Sequence, residues 1–221
     1  RHIRISDIGP VTSQASAAER AARTMPLSAA TIPSQKPQSG RSIRDLLREE
    51  TRDAHDAIDA RYGALDLASI EDYRTFLGAQ LLAWTALDRP WSRQLHRIAG
   101  RQAPDYAALL RADLAELAGS DPLPADLAPP AVMSDAGVAY VLAGSRIGMV
   151  TIRRRPNWGA HHGYAQRFLV EPSGGHLFRL IVADLEREHG RAVDRTSLVA
   201  SARLAFGVFH TALDAVGGSR R

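Results

Sequence analysis

The chain has no cysteine, one lysine (Lys36) and few aromatic residues, which make up 6% of its 221 residues. Without cysteine it has no disulfide framework, no thiolate metal site and no cysteine nucleophile. No apolar run approaches the roughly 20 residues that a membrane-spanning helix needs. The basic start Arg1–Ile5 is not followed by an apolar stretch, so we expect no secretory signal and a cytoplasmic location.

Positive charge is in excess, but it is mixed with negative charge along the chain. The formal net charge is +4, and nearly all the basic residues are arginines. Asp and Glu are interleaved with them, and no basic stripe carries the aromatic residues on which single-stranded nucleic acid stacks. We therefore expect no nucleic-acid partner, whereas the basic surface would attract an acidic protein.

The first 40 residues differ in composition from the rest. They contain no Phe, Tyr or Trp and are rich in Ser, Ala, Thr, Gln and Pro. Such a segment buries little apolar area, so residues 1–40 are predicted to be a polar, flexible leader, with a short helix at 14–23 as an open alternative. Residues 41–217 would then form one helical domain, which is long enough for a single sizeable core.

The body of the chain has helical periodicity, turn signals and no alternating strand pattern, which predicts an all-α single domain. Ser69–Asp72 resembles a capping box that opens a long helix, and Pro90 is expected to kink or split that helix. The segment 121–130 holds four prolines and is predicted to be a loop. Helices are predicted at 42–61, 69–99, 104–118, 134–155, 161–169, 173–189 and 195–215.

The segment Leu47–Asp59 carries a line of four polar side chains. They are Arg48, Arg52, His55 and Asp59. Their spacings of four, three and four place them on one face of a single continuous helix. Because this face lies nearly opposite the helix's apolar positions, a solvated surface is one interpretation. The other is a cleft in which His55 binds a metal, Asp59 orients its ring, and the arginines pair with carboxylates of the ligand.

A second pattern lies in the predicted helix 134–155, where small residues repeat at helical spacing. Gly137, Gly144, Gly148 and Thr151 share one face. Each interior glycine costs about 1 kcal/mol relative to alanine, so the repeat needs a physical reason. One reason is a tight crossing with another helix. The other is a backbone that lies against a planar cofactor, with glycines that also let the helix bend.

The remaining candidate residues carry weaker patterns. The histidines at 96, 176, 189 and 210 lack metal-ligand spacing, and His161–His162 fall in a turn, so structural or surface roles are expected. Arg153–Arg155 suit the C-terminal end of the glycine helix, and contact with a ligand carboxylate or a redox partner is the alternative. The large aromatic residues at 84, 91, 158, 168, 178, 206 and 209 are expected in the core.

Together, the two patterns resemble the haem (heme) oxygenase family, in particular its bacterial, biliverdin-producing branch. Leu47–His55 is similar to the proximal-helix motif, in which basic residues and a threonine precede the haem-ligating histidine. Tyr140–Gly148, which reads Tyr-Val-Leu-Ala-Gly-Ser-Arg-Ile-Gly, is similar to the bacterial distal-helix motif Tyr-Val-Leu-Glu-Gly-Ser-x-Leu-Gly. The separation and the closing segment Phe206–Phe209 also fit. The resemblance covers roughly residues 42–216.

The resemblance implies a helical bundle that holds haem between a proximal and a distal helix. On the proximal side, it implies that His55 is the ligand of the haem iron and that Asp59 is the acidic partner of this histidine. It also implies that Arg48 and Arg52 lie near the haem propionates. These four residues are therefore expected to bind the cofactor.

On the distal side, the resemblance makes Gly144, Ser145 and Gly148 the catalytic positions. The two glycines let the helix approach the haem and bend over it, and Ser145 would help to hold ordered water. Ser145 stands where animal relatives have an aspartate. The chain departs from the bacterial motif at Ala143, which replaces an acidic residue. Met149 replaces a small residue, and its bulk would crowd the pocket.

The implied activity is the oxidative cleavage of haem to biliverdin, carbon monoxide and iron, with haem b as both substrate and cofactor. Dioxygen would be consumed, with electrons from an external reductase, a ferredoxin or a similar acidic redox protein. A phytochrome is a candidate receiver of the biliverdin. One alternative is a haem- or tetrapyrrole-binding regulatory or carrier protein of the same fold without ring-opening activity. Another is a helical interaction domain that binds no haem.

Overall fold

The computed structural model describes residues 42–99, 104–117, 126–128, 134–155, 157–189 and 194–218. The predicted leader, its short helix and most of the proline-rich loop lie outside these residues. Within them the chain is helical and has no strand, as the sequence predicts. The α-helices are α1 (Ile43–Glu50), α2 (Arg52–Gly63), α3 (Ile70–Ala99), α4 (Tyr106–Glu116), α5 (Asp135–Arg153), α6 (Arg167–Val170), α7 (Gly174–His189) and α8 (Arg195–Gly218).

Two predicted helix starts are confirmed by side-chain caps. The Ser42 hydroxyl accepts a hydrogen bond from the Asp45 N–H at 3.0 Å, which begins α1. The Ser69 hydroxyl accepts from the Asp72 N–H at 3.5 Å, which begins α3. The Asp72 carboxylate accepts from the Asp66 N–H at 2.8 Å, so it braces the preceding turn.

The proximal segment is two helices and not the one continuous helix that the spacing predicts. Thr51 separates α1 from α2 and has φ −109° and ψ 6°. Its buried hydroxyl donates to the Leu47 carbonyl at 2.7 Å. The Thr51 N–H donates to the same carbonyl at 3.0 Å, so the acceptor is shared. Such back-bonding by a threonine slightly destabilises a helix and often bends it. The prediction of continuity was wrong because side-chain spacing does not reveal this local bend.

The long helix α3 runs through Pro90 without being split. The predicted split is therefore wrong, although proline removes one hydrogen bond from the helical ladder. The alternative, a kink at Pro90, stays a prediction. Here the residues on both sides are fixed by packing. Trp84 and Trp91 are each 1% exposed, and their rings meet edge to face at 5.7 Å. We attribute the continuity of α3 to this burial, which offsets the lost hydrogen bond.

The helix predicted at 161–169 is replaced by two short elements. A 3₁₀ helix covers Gly159–His162, and α6 covers Arg167–Val170. Gly163 lies between them with φ +73°, a conformation that L side chains rarely adopt and that ends the 3₁₀ turn. The prediction of one helix was therefore wrong, because it ran through a glycine that reverses the chain.

The centre of the domain is formed by α3, α5 and α8. α3 packs on α8, α5 and α4, and α5 also packs on α7 and α8. α1 and α2 pack mainly on α7 and α8. By length and composition, α8 could cross a membrane, but 56% of its apolar stretch is buried inside the domain, as in the core helix of a globular fold. The core contains six of the seven aromatic residues expected there, and the seventh, Phe178, is half-buried.

Candidate functional site

The four side chains of the polar stripe are shared between two helices. Arg48 lies in the last turn of α1, whereas Arg52, His55 and Asp59 lie in the first two turns of α2. Both arginines are exposed, and His55 is half-buried. Neither guanidinium forms an ion pair with another of the described residues. Their charges are therefore available to an anionic ligand.

His55 is held from two sides. Its Nδ1 lies 3.4 Å from Asp59 Oδ2, one helical turn further on. Its ring meets the ring of Phe206 on α8 edge to face, with 5.7 Å between the centroids and 78° between the planes. The side chain is still 39% exposed. Since Nδ1 faces a carboxylate, Nε2 is the nitrogen left for a metal.

The glycines of α5 divide into one packed residue and an open pair. A Cβ on Gly137 would lie 2.6 Å from the Leu198 carbonyl oxygen, so this glycine permits a close crossing with α8. A Cβ on Gly148 would meet no atom within 4 Å. A Cβ on Gly144 would make only an ordinary contact, at 3.7 Å from the Phe178 ring. Packing among the described residues explains Gly137 but not the other two, which we call the open glycines.

Arg155, two residues past the end of α5, lies close to the end of α2. The guanidinium of Arg155 would be 4.0 Å from a Cβ on Gly63, the last residue of α2. Burial raises the pKa of Asp59 above its ordinary value of 3.8, and the charge of His55 opposes this rise. Asp56 adds to the rise, and Arg155 opposes it. The charge of Arg155 therefore reaches the carboxylate that orients His55.

The other end of the same face approaches α1. Burial raises the pKa of Tyr140, and the charges of Arg44 and Arg48 oppose this rise. The open glycines lie between Tyr140 and Arg155 along the chain. Charges on α1 thus act at Tyr140, and the charge of Arg155 acts on Asp59 of α2. The main packing partners of α5 are α7, α3 and α8.

Ser145 and Met149 each follow one of the open glycines directly in the chain. The Ser145 hydroxyl donates to the Leu142 carbonyl at 2.8 Å, within α5 itself. Met149 is 6% exposed and belongs to the hydrophobic core. That its bulk crowds a ligand pocket stays a prediction.

Two aromatic residues that sequence reasoning assigned to the core also border this region. The Phe178 ring lies 5.8 Å from the Tyr140 ring and is the one described side chain that a Cβ on Gly144 would meet within 4 Å. Phe206 contacts His55. Tyr140 could have been placed from its spacing of four residues to Gly144. The resemblance already included Phe206, in the closing segment Phe206–Phe209. No sequence signal connects Phe178 with the site, because its helix lies far away along the chain.

The other histidines provide no second metal centre within the described ranges. His161 and His162 are exposed, as expected of residues in a turn, and His96 and His176 are exposed as well. Among the described residues, no three or more His, Asp or Glu side chains form a group that could hold a metal ion.

No protein-family model matches the sequence, and no curated protein is similar enough to indicate a relative. The candidate site is therefore defined by the residues of this chain, with His55 and Asp59 on α2 and the open glycines on α5.

Proposed function

We propose that this chain is a haem oxygenase that binds haem b between α2 and α5 and cleaves it oxidatively to biliverdin, carbon monoxide and iron. The observation that carries the proposal is the open glycine face of α5. Alanine would fit at Gly144 and Gly148 and would stabilise the helix by about 1 kcal/mol at each position. A flat ligand that fills this space explains why both residues are glycine.

On the proximal side, each residue has a role that follows from its contacts. His55 would bind the iron through Nε2, because its Nδ1 faces Asp59. Asp59 would fix the orientation of the ring and increase its basicity. Arg48 and Arg52 are exposed at the same surface and would pair with the propionates. Bound haem supplies dioxygen chemistry at its iron and is also the molecule that is consumed.

On the distal side, the Ser145 hydroxyl oxygen would act as a hydrogen-bond acceptor. Its proton is directed to the Leu142 carbonyl, so the oxygen can accept a hydrogen bond from an ordered water but has no proton to donate to it. In the proposal, water held by Ser145 and by backbone carbonyls would deliver the protons. Electrons would come from an external acidic redox protein or reductase, attracted by the basic surface.

The same observation about Ser145 favours a second candidate function. A pocket with no strong acid beside the ligand would hold haem or another tetrapyrrole without opening its ring. The chain would then be a regulatory or carrier protein of the same fold. The two candidates share the proximal residues and differ in the fate of the bound haem.

The test is a haem titration followed by aerobic turnover with ascorbate or a reductase. An oxygenase converts the haem spectrum to that of biliverdin and releases carbon monoxide, whereas a stable complex that never yields a bilin favours the carrier. His55→Ala should abolish the spectrum of the histidine-bound complex, and His96→Ala, an exposed histidine on α3, should leave it unchanged. An unaltered spectrum in His55→Ala would exclude axial coordination and leave the helical interaction domain.

A further inference from the structure

Arg203 of α8 occupies the junction between α1 and α2. Its Nε donates to the Glu50 carbonyl at 2.8 Å, and its Nη2 donates to the Glu50 carboxylate at 2.9 Å. In a continuous helix, that carbonyl would accept from the N–H of Ala54, four residues later. The helix is interrupted at Thr51, and the guanidinium takes the carbonyl instead. One side chain thus satisfies an acceptor that the end of α1 leaves free.

The opposite end of α1 is held in a similar way. The Glu186 carboxylate of α7 accepts from the N–H groups of Ile43 and Arg44 at 3.2 and 3.1 Å. α1 is therefore bound at its first turn to α7 and at its last residue to α8. With α1 fixed at both ends, the direction of α2 is decided at the junction that Arg203 contacts.

The junction also determines where His55 stands. α2 begins at Arg52, so His55 lies in its first turn. Its backbone N–H donates to the Thr51 carbonyl at 2.9 Å, which ties it directly to the interruption. If Thr51 took helical dihedral angles, α2 would swing relative to α1 and carry the imidazole and Asp59 with it.

We infer that Arg203 is a positioning residue for His55. By donating to the Glu50 carbonyl in place of the Ala54 N–H, it keeps the helix interrupted at Thr51 and fixes the direction of α2, which carries the imidazole. The inference rests on the proposed function, because it concerns the geometry in which His55 meets haem. Arg203 acts only through the backbone at 50–51.

The first experiment measures amide hydrogen exchange in the ligand-free chain by NMR. In Arg203→Ala the Glu50 carbonyl is free to accept from Ala54, so exchange at Ala54 should slow roughly fivefold, which corresponds to one added hydrogen bond. An ordinary stabilising ion pair predicts the reverse, because its loss loosens the junction. Unchanged or faster exchange at Ala54 would therefore overturn the inference.

Two control variants separate the backbone contact from the charge. Glu50→Gln removes the ion pair but keeps the carbonyl that Arg203 binds, so Ala54 should exchange as in the wild type. Arg61→Ala removes another partly exposed ion pair between α2 and α8, to Asp214, far from the junction. It should also leave Ala54 unchanged. Slowed exchange in either control would show that the effect does not depend on the contact with the Glu50 carbonyl, and it would contradict the inference.

The second experiment measures haem affinity. Arg203→Ala should weaken haem binding about tenfold or more, because displaced supporting residues typically cost tenfold to a hundredfold in metal affinity. Arg203→Lys, which can still donate to the carbonyl, should recover part of the loss. If Arg203→Ala binds haem as tightly as the wild type, the inference is overturned but the proposed function is not. A wild-type chain that binds no haem would instead refute the proposed function, before any variant is compared.

Discussion

Nδ1 of His55 and Oδ2 of Asp59 lie 3.4 Å apart across one turn of α2. This contact orients the imidazole, but it also keeps a carboxylate in a partly buried position. Burial is the largest influence on Asp59 and raises its pKa, although His55 opposes the rise. In the ligand-free chain, the negative charge of Asp59 therefore reduces the stability of the folded state.

Asp59→Asn should therefore stabilise the ligand-free chain at about pH 7. A carboxyl whose pKa is raised on folding holds its proton more tightly in the folded state, so its stabilising contribution is complete only at low pH. The contribution is lost as the pH rises from about 3.8, the ordinary value, through the raised value. Urea unfolding across this range should show the two proteins converging at low pH. A wild type more stable than Asp59→Asn at about pH 7 would contradict this expectation.

Gly148→Ala should change stability and ligand affinity in opposite directions. The new methyl group meets no atom within 4 Å, so helix propensity should raise the free energy of unfolding by up to about 1 kcal/mol. Haem affinity should fall, because the methyl group takes space that the ligand would use. Thermal unfolding and haem titration measure the two effects. Haem binding equal to that of the wild type would show that the ligand does not lie against this face.

Gly137→Ala is the matched comparison on the same helix. Its methyl group would lie 2.6 Å from the Leu198 carbonyl oxygen, a backbone atom that cannot turn aside. We expect the free energy of unfolding to fall by about 2 kcal/mol, as in other overpacked interiors. Urea unfolding measures the change. A neutral result would mean that α5 and α8 separate more easily than their close crossing indicates.

Arg48→Gln should weaken the binding of haem but not that of haem dimethyl ester. The ester lacks the propionate charges, so it has no group for an exposed guanidinium to pair with. We expect about a fivefold loss of haem affinity, which is reasonable for one charge-assisted contact near solvent. Arg154→Gln, at an exposed arginine just past the end of α5, is the control and should change neither affinity. Equal losses for haem and ester would contradict a propionate contact.

Arg146→Ala should cost about 3 kcal/mol in the free energy of unfolding. The guanidinium lies between the rings of Tyr106 and Phe168, at 4.6 and 4.2 Å, and donates to the Phe168 carbonyl at 2.6 Å. Truncation removes this packing and leaves a buried carbonyl without its donor. Arg154→Ala should change stability by no more than about 0.5 kcal/mol. An effect at Arg146 as small as that at Arg154 would show that the free-energy cost of burying the charge equals the stabilisation from its contacts.

Local signals explain why the helices could be predicted. Ser42 and Ser69 cap α1 and α3 through hydrogen bonds that span three residues, so neighbouring residues contain the necessary information. Two predictions about helix continuity were wrong. The predicted proximal helix is interrupted at Thr51, whose hydroxyl and N–H share the Leu47 carbonyl. The predicted split of α3 at Pro90 does not occur, and we attribute this to the burial of Trp84 and Trp91.

Only part of the candidate site could be predicted from the sequence. The spacing of Arg48, Arg52, His55 and Asp59 placed them near one another, because helical neighbours are set by local geometry. It did not distinguish a solvated face from the wall of a cleft. That distinction depends on contacts between helices, such as that of His55 with Phe206 on α8, which is about 150 residues further along the chain.

By itself, the sequence determined the all-α class, most helix boundaries and the residues that share a helix face, since each follows from hydrogen bonds and side chains within a few residues. Only the tertiary structure decided which glycine is packed and which are open. Gly137 and Gly148 have the same local chemistry, but α8 crosses the first and no described residue covers the second. Likewise, the contact of Arg203 with Glu50 joins residues 153 positions apart. Such contacts depend on how whole helices pack, which local periodicity does not specify.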